Sequence, residues 1–251
     1  MQEYFLQVKY STLLLDLKLP NVTKRNFELS KLISETSLVN SFYSLLNFSQ
    51  IKSKNKVINN SLHEIKGTER IAIGFFQDFN LIEKYWDQSI DKISKFNFLE
   101  KSIKNETTNY IAIHVRLSDY LENKKTRNFH GLTKPEYYLQ GVEYLFDTTS
   151  FRNVKLITDS PQKVNNIIDL LKGNKIKVEI VSNNFESDFI SLSLGNSIVM
   201  SNSSFSWWAA YIADKMRNTK IIAPEPWFSD YSAQPSNLIP NNWYKIKRET
   251  Y

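Results

Sequence analysis

The chain has 251 residues, a net charge of +6 and no cysteine. With 41% hydrophobic and 23% charged residues it can bury a core, which excludes a disordered chain. The missing cysteines exclude a disulfide framework and thiolate metal sites, and they fit a reducing compartment.

The sequence pI is about 9.2, but the basic excess is spread thinly. Its densest runs are KSKNK at 52–56 and ENKKTR at 122–127, so a solvated surface is expected and nucleic acid is not an expected partner. No apolar run approaches the roughly 20 residues of a membrane span. The opening MQEYFLQVKYSTLLLDL lacks the basic start, apolar stretch and cleavage site of a signal peptide. The expected location is therefore the cytoplasm.

In chain order, Leu13–Leu17 and Ile71–Phe75 read as buried strands, and Leu81–Phe98 as one or two amphipathic helices. Residues 20–70 are polar and rich in Ser, Asn and Lys, with weak strands at best. No internal repeat is visible. The stretch KSIKNETTN at 101–109 lacks periodicity and marks a boundary between a lobe at 1–105 and a lobe at 106–251. Two lobes with a cleft between them suit an enzyme with two substrates.

The second half reads more clearly. Tyr110–Val115 is a short apolar strand, and Lys134–Phe146 has helical spacing, with Thr133 as its N-cap and Pro135 in its first turn. Val154–Ile157 is the next strand. Ser160–Leu171 follows as a helix capped by Ser160, with Pro161 at its first position and Gly173 at its end. Then come a strand at Ile176–Val181, a helix at Phe185–Leu194, a strand at Ser197–Met200, a helix at Phe205–Met216 and a strand at Lys220–Ala223. This alternation predicts a parallel sheet with helices on both faces. Ligands bind such sheets at the carboxyl ends of the strands.

Three strand ends carry polar clusters. The first is HVRLSDY at 114–120. Strand alternation points His114, Arg116 and Ser118 to one side, where Arg116 offers a bidentate fork to a phosphate and His114 adds a donor. Asp119 is placed to pin the Arg, and the alternative is an ion pair that merely ties off a strand end. The second is TDSP at 158–161, where Asp159 suits a purine edge or a sugar hydroxyl, or else caps a helix. The third is SNSSFSWW at 201–208, between a strand and a helix. The free N–H groups of a helix start form an anion site, and small Ser and Asn side chains let a diphosphate approach. A cap needs one Ser, and here there are four (Ser201, Ser203, Ser204 and Ser206). Core packing is the default for Trp207 and Trp208, and a sugar-stacking platform is the alternative.

No GxxxxGK[ST], GxGxxG, Asp-x-Asp or His/Cys cluster occurs. The acid-x-acid triplet Glu186-Ser187-Asp188 falls at an expected helix start. Metal-assisted phosphate binding is therefore not expected. The charge for a leaving diphosphate must come from Arg116 and a helix dipole.

HVRLSDY resembles the HxRRxDY motif of the α1,2-fucosyltransferases (glycosyltransferase family 11), and SNSSFSWWAAYI resembles their NSSFSWW signature. LITDSP at 156–161, GFFQ at 74–77, PEYY at 135–138, IIAPEPWF at 221–228, and LLLDL at 13–17 leading to RNFEL at 25–29 follow in family order. Leu117 stands where the pattern has its second Arg and should face away from Arg116.

The resemblance implies a GT-B-like α/β fold. A Rossmann-like parallel-sheet C-terminal domain would hold the donor, beside a smaller N-terminal α/β lobe on the acceptor side. Met1 is expected to fall after the family's opening Gly-rich loop, leaving that lobe incomplete.

The implied reaction is metal-independent, inverting transfer of L-fucose from GDP-fucose to the 2-hydroxyl of a galactose-like acceptor. That acceptor would be an oligosaccharide or lipid-linked glycan of a bacterial surface polysaccharide such as O-antigen. GDP-fucose is a co-substrate, and no cofactor is implied. Peripheral contact with anionic lipid of the inner membrane, through surface Lys, is the further expected association.

By position, Arg116 takes the β-phosphate, and His114 supports the nucleotide or the fucose. Asp159 takes the guanine or ribose side, and Asn202, Ser203, Ser204 and Phe205 line the diphosphate and fucose pocket. Asp119 is the nominated base. Two alternatives stay open: a non-catalytic GDP-sugar-binding remnant, and a related transferase with another nucleotide sugar.

Overall fold

The structure is a computed structural model. It describes residues 57–59, 71–73, 77–80, 82, 83, 86, 108–229, 234 and 236–251, of which 57–59, 71–73, Asp119 and Glu186 are described by backbone alone. The chain divides into two compact units, Met1–Lys95 and Phe96–Tyr251. The expected strand Leu13–Leu17, the RNFEL and KSKNK segments, and the polar stretch 101–107 lie outside the described residues.

In the first unit, strand β1 (Val57–Asn59) pairs in parallel with β2 (Ile71–Ile73), Val57 lying opposite Ile71. β2 falls within the expected strand Ile71–Phe75, and β1, of three residues, lies in the region expected to hold weak strands at best. Of the expected helix 81–98, residues 82, 83 and 86 are described, and all are helical.

The second unit is a parallel α/β sandwich. Its chain runs β3 (Ile111–Val115), α1 (Ser118–Glu122), α2 (Lys124–His130), α3 (Pro135–Thr148), β4 (Val154–Thr158) and α4 (Asn165–Gly173). It continues through β5 (Val178–Val181), α5 (Phe185–Ser193), β6 (Ser197–Val199), α6 (Ser204–Arg217), β7 (Lys220–Glu225) and β8 (Tyr244–Lys247). The six strands are all parallel, in the order β5-β4-β3-β6-β7-β8.

The chain thus builds outward from β3 through β4 to β5, then returns to lay β6 on the other side of β3. That reversal between β3 and β6 is a topological switch point, and sheets of this class bind their ligands at such points, beyond the strand ends.

Strand alternation sorts the core. Ile111, Ile113 and Val115 of β3 pack with Tyr137, Tyr138, Val142 and Leu145 of α3 and with Ile167, Ile168 and Leu171 of α4. Burying each such Ile or Leu contributes about 1.5–3 kcal/mol. The opposite face carries Ala112 and His114, which meet Gly195 and Phe205 on the α5–α6 side. At Gly141 a Cβ would stand 2.7 Å from a Val199 methyl, so only glycine lets α3 settle this closely on β6.

The structure corrects several expectations. Thr133 does not cap α3: the N-cap is Lys134 without a side-chain bond, and the Thr133 hydroxyl accepts from Arg248 at 2.9 Å. Ser160 does not open a long helix. Pro161–Lys163 form a single 3₁₀ turn, and α4 begins at Asn165. α1 and α2 arise where the polar ENKKTR run showed no apolar period; α2 is started by Asn123, whose side chain accepts from the N–H groups of Lys125 and Thr126. β8 is a sixth strand where five were expected.

Candidate active site

The ends of β3 and β4 form a charged corner. Arg116 donates from Nη1 to Asp159 Oδ2 at 2.6 Å, with only 10% of the Arg side chain and 16% of the Asp side chain exposed. Asp159 also accepts from the Ser118 hydroxyl at 2.9 Å, the Leu117 N–H at 3.2 Å, the Ser118 N–H at 3.4 Å and the Ser160 hydroxyl at 3.2 Å. Both oxygens are therefore engaged, and the Arg116 guanidinium is held in one orientation at low conformational cost.

Burial pushes the Asp159 carboxyl up, but Arg116, the Ser118 hydroxyl, the Leu117 amide and His114 outweigh it and hold the group below its ordinary range. Asp159 thus pins Arg116, a role the sequence had offered to Asp119. β3 stops at Val115, and the chain turns into α1 at Ser118. Strand alternation ends before Asp119 is reached, and the side chain of Asp119 lies outside the described residues. Leu117 faces the core as expected and packs against the α3–α4 cluster.

His114 bridges the reversal point. It is buried on β3, and its Nδ1 is hydrogen-bonded to the Ser201 hydroxyl beyond β6 at 2.7 Å. Burial lowers its pKa to about 4 against an opposing pull from Asp159. At neutral pH the imidazole is therefore uncharged, and it contributes a hydrogen bond and shape rather than positive charge.

The Ser-rich loop divides its work. Ser201 holds His114 and lies 3.3 Å from the Ser206 hydroxyl, which itself donates to the Ser201 carbonyl at 2.8 Å. Asn202 donates its amide to the carbonyls of His130 at 2.9 Å and Trp227 at 3.0 Å. Its own carbonyl accepts from the Tyr120 hydroxyl at 2.8 Å. These three side chains fasten the loop.

Ser203 and Ser204 are different: their hydroxyls make no hydrogen bond among the described residues, and no side chain caps α6. Trp207 is the first N–H of α6 to return to a backbone carbonyl, that of Ser203. The N–H groups of Ser204, Phe205 and Ser206 precede it without intrahelical partners and carry the positive end of a 14-residue helix.

Phe205, in the first turn, packs against His114 at 5.0 Å, Phe185 at 4.9 Å and Phe189 at 5.4 Å between ring centroids. Trp207 and Trp208 are both core residues. Trp207 stacks on Tyr211 at 4.9 Å and donates to the Leu238 carbonyl at 2.6 Å.

Two residues were missed by the sequence reading. Arg248 is 2% exposed and donates to the carbonyls of Pro226, Trp227, His130 and Gly131, besides the Thr133 hydroxyl. It ties the segment after β8 to the strand-end loops. Asp188, in the first turn of α5, is buried, accepts from the Asn183 N–H at 2.9 Å and is pushed up chiefly by burial and further by Asp159. Its place in an acid-x-acid triplet was visible in the sequence, but the burial was not. Among the described residues no group of three or more His, Cys, Asp or Glu side chains is placed to hold a metal ion.

The family model described as Glycosyl transferase family 11 matches residues 72–247. An Escherichia coli protein named alpha-1,2-colitosyltransferase is 28% identical over 206 residues, covering 77% of this chain and 67% of its own length. The Escherichia coli O-antigen biosynthesis glycosyltransferase WbnK is 23% identical over 185 residues, 68% of this chain and 59% of that protein.

Among solved structures, POFUT1 in complex with GDP matches at 13% identity and a TM-score of 0.34, over 76% of this chain and 74% of that one. POFUT1 in complex with GDP-fucose, in crystal form II, matches at 12% identity and a TM-score of 0.33, over 76% and 75%. The family match spans both ends of the site, from the strand-end corner of β3 and β4 to the uncapped start of α6, and the chain belongs to glycosyl transferase family 11.

Proposed function

We propose that the chain is an inverting, metal-independent GT-B-type enzyme. It moves L-fucose from GDP-fucose to the 2-hydroxyl of a galactose-like acceptor during synthesis of a bacterial surface polysaccharide. The observation that carries this reading is the pairing of two anion-binding elements at one strand-order reversal. Arg116 is fixed by Asp159 at the end of β3, and the uncapped N-terminus of α6 follows β6.

In this reading the acceptor hydroxyl attacks the anomeric carbon from the face opposite the diphosphate. The bond from that carbon to the phosphate oxygen breaks, and GDP leaves with the electron pair. Arg116 meets the charge that develops on the β-phosphate. The amides of Ser204, Phe205 and Ser206, with the hydroxyls of Ser203 and Ser204, meet it from the other side. Asn202 shapes this pocket through the loop it fastens. His114, being neutral, supports the sugar or nucleotide by contact and hydrogen bonding. Asp159 stands on the guanine or ribose side while orienting Arg116. Asp119 takes the proton from the acceptor.

A second reading keeps the geometry and changes the donor, and it is favoured by the similarity to the alpha-1,2-colitosyltransferase. Among the described residues no helix is long and apolar enough to cross a membrane. We place the protein at the cytoplasmic membrane face, where surface Lys meet anionic lipid and the lipid-linked acceptor is presented. High salt should release it from anionic vesicles.

The test is to supply GDP-fucose and a panel of β-galactosides with EDTA present, then measure released GDP and the linkage formed. An α1,2-fucosylated product at undiminished rate is expected. Preference for another nucleotide sugar would overturn the donor assignment, and GDP binding without turnover would identify a non-catalytic remnant.

A further inference from the structure

Beside the anion site stands a cluster of rings that the chemistry above leaves unused. α2 ends in Phe129 and His130, and Phe228 follows β7. The Phe129 and Phe228 rings lie 4.5 Å apart between centroids. His130 meets Phe129 edge-on at 5.1 Å and Phe228 at 5.3 Å. It also stacks on Tyr120 at 4.8 Å, 19° from parallel.

This cluster is bolted to the Ser-rich loop. Tyr120 donates to the Asn202 carbonyl, and the Asn202 amide donates to the carbonyls of His130 and Trp227, each adjacent to a phenylalanine of the cluster. Arg248 donates to the same two carbonyls. A ring cluster this well tied would ordinarily be covered, yet Phe129 is 42% exposed. Of the other exposed large apolar side chains among the described residues, Ile180 and Tyr244 lie on the edge strands β5 and β8, and Tyr251 ends the chain. Phe129 alone belongs to the connection that leaves β3 at the ligand end of the sheet.

We propose that Phe129, backed by Phe228, is a stacking shelf for the acceptor sugar and takes the C–H face of a pyranose ring. The proposal rests on the glycosyl-transfer reading above. An aromatic face offers broad dispersive contact to such a ring. A ring already immobilised by its neighbours gives up little entropy when the sugar arrives. The continuity from the shelf through Asn202 to Ser203 places acceptor and donor on one rigid assembly, as a direct displacement between two sugars requires.

The experiment uses the full chain with GDP bound. Saturation-transfer NMR is recorded with methyl β-galactoside, methyl β-glucoside and methyl N-acetyl-β-glucosaminide as probes, and GDP affinity is measured separately by calorimetry. At least one glycoside should receive saturation on the protons of one ring face. Phe129→Ala should weaken that glycoside about threefold to tenfold while GDP affinity stays constant, and Phe129→Tyr should restore it.

Unchanged glycoside affinity in Phe129→Ala would overturn the proposal. So would absence of transfer to all three probes, or a parallel fall in GDP affinity. Loss of anionic-vesicle binding with glycoside affinity intact would assign Phe129 to a lipid surface and overturn it as well. A glycoside that stacks on Phe129 in a chain that does not use GDP-fucose upholds the shelf and faults only the donor reading.

Discussion

The two sides of the reversal between β3 and β6 offer positive charge to an anion in opposite ways. On the β3 side the charge is a whole guanidinium on a long side chain. It is useful only because Asp159 fixes it at 2.6 Å with both carboxylate oxygens already engaged. On the β6 side the charge is partial, carried by backbone amides that α6 itself holds in place. Nothing there needs an ion pair, only side chains small enough to stay out of the way, two of which have hydroxyls that make no hydrogen bond among the described residues. A mobile cation must be bought an orientation, whereas a helix end comes with one.

This contrast can be broken at its charged side first. Arg116→Ala removes the oriented cation and leaves Asp159 without its main partner. In a transferase assay kcat should fall by roughly 10²–10³-fold, the usual loss for a removed transition-state donor. A fall below about tenfold would mean that the helix end suffices alone.

Acid should weaken the same corner before the helix end. His114 has its pKa depressed by burial, from 6.5 to about 4. The folded state therefore resists a proton that the unfolded chain accepts, and stability falls as pH drops from about 6.5 to about 4. The loss should amount to roughly 3 kcal/mol. Asp159 is likewise depressed, so its contribution is present above its unfolded value and lost as pH falls through the folded one. Denaturant midpoints measured across this range should slope downward, and His114→Gln should flatten the upper part. A flat wild-type profile from pH 6.5 to 4 would show that His114 is not buried as described.

The neutral side should answer more gently. Replacing Ser203 and Ser204 together by Ala removes two hydroxyls but leaves the amides. GDP affinity should fall by about threefold to tenfold with thermal stability unchanged, as calorimetry and melting would show. A hundredfold loss would move the main anion contact from the backbone to these side chains.

Much of this was legible in the sequence. The apolar runs that became β3, β4, β6 and β7 read as buried strands, and the density of hydroxyls after β6 pointed to the ligand end. What failed were inferences from neighbours in the chain. No spacing in the chain announced that Arg116 pairs with Asp159, 43 residues away. Thr133 sits where a cap belongs, but Arg248 takes its hydroxyl from the far end of the unit. β8 hides because it is an edge strand in which only Ile246 is buried. α1 and α2 hide because a short helix stabilised by Asn123 needs no apolar stripe. Nor could composition tell which hydroxyls of the Ser-rich loop fasten it, since that depends on His114 reaching Ser201 and on Ser206 turning back to the Ser201 and Ser203 carbonyls.

The most direct test of the account is Arg116→Lys, which keeps the charge and removes the fork that Asp159 orients. With GDP-fucose and an accepted galactoside, turnover should fall at least tenfold, equivalent to roughly 1.4 kcal/mol, while the melting temperature holds. Turnover equal to that of the wild type would contradict the placement of the diphosphate at the β3 corner.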